Sequence, residues 1–209
     1  MRADARFAGA AAGELAADWI MMQVVNAELS ELEIRPTHRL ILDADADALG
    51  TLASDPDFFA SPMPPDALAD ALDERRHEPA PTFGVVLPAG KGWLLVGDSA
   101  ALAARLRLEP MSAAVQRLDL AALHVALLRD RLGITDDDVA AGNRLAYTRD
   151  AAEAIDRVAR GDAAAALLVR PTRIDQMADV ANAGDVMPQK STYFYPKLLT
   201  GMVFNPLEE

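Results

Sequence analysis

The stretch RLAYTRDAAEAIDRVARGDAAAALLVRPTRIDQMADVANAG, Arg144 to Gly184, alternates short apolar runs with amphipathic ones. "RLAYT" and "AAALLVR" have strand length, whereas "RDAAEAIDRVAR" and "RIDQMADVANA" carry a helical period and close at Gly161 and Gly184. This β-α-β-α order predicts one right-handed parallel crossover. Upstream, "TFGVVLPAGKGWLLVG" (82–97) joins two apolar runs through "AGKG" and predicts a β-hairpin. The expected class is α+β: a mixed sheet with a β-hairpin, a parallel β-α-β-α unit near the C-terminus and flanking helices.

The rest of the chain fits around that frame. An Ala-rich helix is expected over 4–17 and a buried strand over "WIMMQVVNA", Trp19 to Ala27. A polar bend and a short strand at "THRLIL" (37–42) follow, with Pro36 at its start. Asp47 is expected to cap a helix running to Ala53, and residues 54–65 to be proline-rich and irregular. Pro65 opens a helix to Arg76, and Asp98 or Ser99 caps "AALAARLR". The strongest helix runs from Asp119 to Leu132, with Leu120, Leu123, Leu127 and Leu128 on one stripe and His124 among them. No internal repeat or long linker is visible. The expectation is a single domain over 1–209 with its one plausible seam at 54–66.

Composition excludes several functions. The chain has 209 residues, 51% of them hydrophobic, and 32 acidic against 20 basic side chains give a net charge of −12. That balance argues against nucleic acid and against anionic membrane surfaces, both of which need clustered Lys and Arg. With no cysteine, disulfides, thiolate nucleophiles and Cys-ligated metals are all excluded. The charged N-terminal stretch is not expected to be a signal peptide, and the expected location is the cytoplasm.

Two tempting motifs fail. "DADADALG" alternates Asp43, Asp45 and Asp47 like a calcium loop, but Gly50 comes two places late and Ser54 stands where a bidentate Glu belongs. Gly90-Lys91-Gly92 lacks the Lys-Ser/Thr ending of a phosphate loop and precedes a strand. No metal site is expected. Of the three histidines, His77 lies in a polar helix end. His124 is either a core histidine or a cleft residue. His38 and Arg39 point to opposite faces of their strand, and one of them could contact phosphate.

"MPQKSTYFYPK", Met187 to Lys197, is the one compact cationic, hydroxyl-rich and aromatic stretch. Lys190 and Lys197 supply ammonium donors, and Ser191 and Thr192 supply hydroxyls. If extended, Tyr193 and Tyr195 share a face, with Phe194 turned to the core. Such a cluster suits a small phosphorylated or amino-acid-like ligand. The alternative is a closing strand with solvated lysines.

"DWIMMQVVNAE", "PTHRL", "LDLAALHVALLRDRLGI" and above all "MPQKSTYFYPKLLTGMVFNPLE" resemble the C-terminal half of the bacterial "domain of unknown function 1015" family. The likeness covers most of the chain, in order. In that family the N-terminal half resembles the ParB/sulfiredoxin-like fold of free-serine kinases and carries a "DGHHR" signature, which this chain lacks. The resemblance therefore implies a piece of a longer protein. It implies the substrate-facing half of a serine-kinase-like phosphotransferase, inactive alone, with no cofactor in this chain and a Mg-nucleotide used by the longer parent. Lys190, Ser191, Thr192 and Lys197 would hold phosphate or carboxylate, Tyr193 or Tyr195 would line the pocket, and His38, Arg39 and His124 would rank second. The other expectation is a noncatalytic module for folding or self-association, for instance as a homodimer.

Overall fold

The computed structural model describes residues 33–197. The chain divides into two compact units, one of Met1–Glu33 with Tyr195–Glu209 and the other of Ile34–Phe194. The expected helix at 4–17 and strand at 19–27 lie outside the described residues. The second unit carries the fold below.

Strands β1 (Glu33–Arg35), β2 (His38–Ile41) and β3 (Phe58–Pro62) come first, with helix α1 (Ala46–Thr51) between the last two. Helix α2 (Leu68–Glu74) leads into the expected hairpin, β4 (Thr82–Leu87) and β5 (Lys91–Gly97). Helices α3 (Ser99–Leu106), α4 (Ala113–Gln116), α5 (Asp119–Ala122) and α6 (Asp136–Ala141) follow. The last third alternates as its sequence predicts: β6 (Leu145–Thr148), α7 (Ala151–Ala159), β7 (Ala165–Val169), α8 (Ile174–Asn182) and β8 (Tyr193–Tyr195).

The class is α+β. Six strands form one sheet in the order β3-β5-β4-β7-β2-β6, and β1 pairs with β8 in a separate ribbon. Every ladder of the six-stranded sheet is antiparallel. The β6-α7-β7 crossover exists, and its two strands run the same way, but they are not neighbours: β2 lies between them, antiparallel to both. The reason is burial. All four residues of β2 are buried, and so are all five of β7, so both need covering on two faces and two edges. Only a central position satisfies β2.

Other differences from the sequence expectation are local. The cap of α1 is Asp45, which accepts from the backbone N–H of Asp47 at 2.7 Å. The stretch expected to be irregular contains β3, which pairs along β5 from Phe58↔Gly97 to Pro62↔Trp93. Helix α5 continues as a π-helix over Leu123–Arg129, with bonds such as Asp130 N–H to Val125 O at 3.1 Å. An apolar stripe alone does not separate an i→i−5 ladder from an i→i−4 one. At the hairpin, Ala89 (φ 61°) and Gly90 (φ 70°) make the turn in the left-handed region. Gly92 lets β5 approach the Met63 carbonyl more closely than any side chain would permit.

Helices cover both sheet faces. On one, Leu102, Leu106, Val115 and the run Leu120–Leu128 pack over Ile41, Phe83, Val85, Leu95 and Leu167. On the other, Leu68 and Leu72 of α2 and Ala154 and Val158 of α7 pack over Leu40, Leu94 and Leu168. At about 1.5–3 kcal/mol for each large apolar side chain removed from water, these two faces dominate the stability of the unit.

A buried ion pair clamps the sheet to its helices. Arg170, at the end of β7, bonds both oxygens of Asp119 at 2.7 and 2.8 Å. Its remaining N–H groups reach the carbonyls of Arg75, Glu78 (3.0 Å) and Ala80 (2.9 Å). All five guanidinium donors are used. Burial pushes the Asp119 carboxyl up against the pull of Arg170 and the Thr82 backbone N–H. Asp119→Ala strands that guanidinium without its anion, so urea unfolding should show a loss of about 3–5 kcal/mol. A loss below about 1 kcal/mol would mean that the clamp is dispensable.

Candidate functional site

β6 ends at the sheet edge and hands the chain directly to α7 through Thr148, Arg149 and Asp150. Asp150 caps α7, accepting from Ala152 N–H at 2.8 Å and Glu153 N–H at 3.4 Å. The Thr148 hydroxyl donates to Glu153 and accepts from Asp150 N–H at 3.2 Å. These bonds fix the junction so that its side chains, with Thr37, Tyr147, Lys190 and Tyr193, line a cavity of about 470 Å³. That volume lies in the range of small-molecule sites.

Two aromatic–cation pairs flank the cavity. The Arg149 guanidinium lies 4.2 Å from the Tyr193 ring centroid, and Lys190 Nζ lies 5.9 Å from that of Tyr147. Neither cation has a carboxylate partner among the described residues. Elsewhere the arginines pair readily: Arg105 with Asp57 and Asp130 at 2.6 and 2.7 Å, and Arg129 with Glu109 at 2.7 Å.

Behind Tyr147 lies Arg39, fully buried. Its Cζ is 5.7 Å from the Tyr147 ring centroid. It donates to the carbonyls of Thr37 and, at 3.4 Å, Gln189, and its buried Nε has no partner. No carboxylate compensates it among the described residues. Burial lowers its pKa from 12.5 to about 10, so it is still charged at neutral pH.

The segment holding Lys190 depends on these contacts. Lys190 has φ 57°, a left-handed conformation costing about 1 kcal/mol or more in a residue with a side chain. Arg39 grips the carbonyl just before it, and the buried Ser191, just after it, donates its hydroxyl back to Pro188 O. The local strain is thus fixed from both sides.

Of the expected site residues, Lys190 and Tyr193 line the cavity. Ser191 is 4% exposed and committed to Pro188, so it shapes the segment rather than facing a ligand. Thr192 is half-buried and outside the lining. Tyr195 and Lys197 belong to the other compact unit and are not assigned to this cavity. His38 is buried, and its Nδ1 accepts from Val169 N–H at 3.2 Å, a structural bond inside the sheet. His124 lines a different cavity. The sequence reasoning missed Arg149, Asp150 and Glu153, although the position of "TRD" at a predicted strand-to-helix junction was a usable signal, because open sheets bind ligands at strand ends.

No family model matches the chain, and no curated protein matches it. Among solved structures, a mutant free serine kinase in complex with AMP is weakly similar, with a TM-score of 0.44 and 10% identity over 82% of this chain. The aligned region is 57% of that kinase chain. A likeness at this level carries no weight for function. Among the described residues no helix is long and apolar enough to cross a membrane, and no trio of acidic or histidine side chains is placed to hold a metal ion.

Burial lowers both His38 and His124 from 6.5 to about 4, with the Arg39 charge adding to the effect. Between those values the unfolded chain binds protons that the folded one does not, so stability falls as pH drops from about 6.5 toward 4. Each histidine contributes a slope of up to about 1.4 kcal/mol per pH unit in that window, and none above it. Urea unfolding of His38→Asn, whose amide oxygen can replace the Nδ1 acceptor, should show a shallower slope. An unchanged slope would place the His38 titration elsewhere.

Proposed function

We propose that the cavity between the β6–α7 junction and Lys190 binds a small amino-acid-like molecule bearing a phosphate or carboxylate group. The carrying observation is a group of three cations without ion-pair partners among the described residues. Arg39, Arg149 and Lys190 have no carboxylate partner among the described residues, and one of them is fully buried. A buried, uncompensated guanidinium is costly by itself and is relieved by an anion arriving nearby. Lys190 and Arg149 are exposed and supply direct donors; Arg39 supplies field from behind Tyr147. Glu153, in the same lining, offers a carboxylate for a ligand ammonium.

The sequence resemblance to the "domain of unknown function 1015" family extends this reading. The chain is then a member of that family and the substrate-facing half of a serine-kinase-like phosphotransferase. Cationic side chains around a transferring phosphoryl group are what such chemistry requires most. A Mg-nucleotide would be the phosphoryl donor in the longer parent. The described residues provide no acidic cluster for its metal.

Isothermal titration of the chain with O-phosphoserine, serine and inorganic phosphate tests the site. Phosphoserine should bind tightest, and Lys190→Ala and Arg149→Ala should each weaken it roughly tenfold or more, the usual worth of a charged hydrogen bond. Equal affinity in both variants would overturn the assignment.

A further inference from the structure

A second cavity, of about 480 Å³, is lined in part by residues 185–189. Its floor is the π-helix after α5, and its walls are α4, α6 and residues 185–189. Most of the lining is apolar, including Met111, Leu120, Val125, Val139 and Met187. Its ionisable groups are unequal. Glu109 is tied in a fork to Arg129 at 2.7 and 2.9 Å. Asp185 accepts from the backbone N–H groups of Ser112 and Val186 at 2.9 and 2.8 Å. Two groups stay uncommitted: the exposed Asp136 carboxylate and the buried Nε2 of His124, which has no partner.

Three carboxylates face one guanidinium here, so the lining carries a net negative charge. Desolvation and the Arg39 charge keep the His124 imidazole neutral, so a ring nitrogen can serve as an acceptor. Asp136 lies near enough to oppose that shift. An unpartnered acceptor and an uncommitted carboxylate in the lining of one largely apolar cavity match a positively charged donor. His124 reaches this lining from the π-helical stretch, and such interruptions recur at binding sites.

We infer that this cavity is a second binding site, separate from the anion site, for a small apolar molecule carrying a protonated amine. The ammonium donates to His124 Nε2 and faces Asp136, while the apolar body lies against Met111, Val125 and Met187. A carboxylate of the same shape would meet the acidic lining and be rejected.

Phenethylamine, 2-phenylethanol and 3-phenylpropionate are probes of similar shape and different charge. Titration of the chain, followed by calorimetry and amide chemical shifts, should show phenethylamine binding at least tenfold tighter than 3-phenylpropionate, with 2-phenylethanol between them. Asp136→Asn, an exposed change that leaves the fold intact, should weaken phenethylamine at least fivefold and leave phosphoserine binding as it was. His124→Leu should do the same; if it fails to fold, Asp136→Asn decides. Equal binding of amine and acid, no saturable amine binding, or an unchanged Asp136→Asn affinity would overturn the inference.

Discussion

The Arg170–Asp119 clamp ties together pieces that are far apart in sequence. One guanidinium at the end of β7 is bonded to the first residue of α5 and to three carbonyls after α2. The Thr82 backbone N–H at the start of β4 lies near enough to pull the Asp119 carboxyl down. The central strand, the hairpin and the helical face over it therefore share one buried junction. Two planar, bidentate groups with every donor used have little freedom, which is what fixes a register rather than merely adding energy. Helix α5 starts at this point, and the π-helix that bears His124 continues from it.

Arg39 is the same residue type at similar burial with the opposite accounting. Arg170 has a carboxylate and three carbonyls, five acceptor atoms in all; Arg39 has two carbonyls, an orphan Nε and no carboxylate among the described residues. Sequence contributes to the contrast: neither histidine near Arg39 is charged, and its cross-strand neighbour is Tyr147. A protein seeking stability alone gains from an apolar residue at such a place. The charge does act on two things, the carbonyl before Lys190 and the ring that faces Lys190. Scaffold and site are thus distinguished by whether a buried cation is satisfied.

Much of this architecture was legible in the sequence. The hairpin and the strand–helix alternation over 144–184 follow from periodicity and from glycine stops, which are local signals. The insertion of β2 between β6 and β7 was not legible, because pairing partners depend on burial across the whole sheet. Helix α5 read as α because its leucine stripe tolerates either ladder. At the site, Lys190 and Tyr193 stood out by composition, whereas Ser191 misled: a hydroxyl next to a left-handed lysine was needed to hold the backbone. Arg149 and Glu153 were hidden as ordinary surface charges of a helix start. Arg39 could be named, but its isolation could not, since a missing partner is a property of three dimensions.

On the proposed reading, Arg39 is kept at a cost to stability in order to attract an anion. Urea unfolding of Arg39→Met and of the unchanged chain, in anion-poor buffer and again with added phosphate, tests it most directly. The prediction is that Arg39→Met is the more stable form without phosphate, by about 1 kcal/mol or more. It should also lose the phosphate-dependent gain that the unchanged chain shows. An Arg39→Met chain that is less stable in anion-poor buffer and still gains from phosphate would contradict the account.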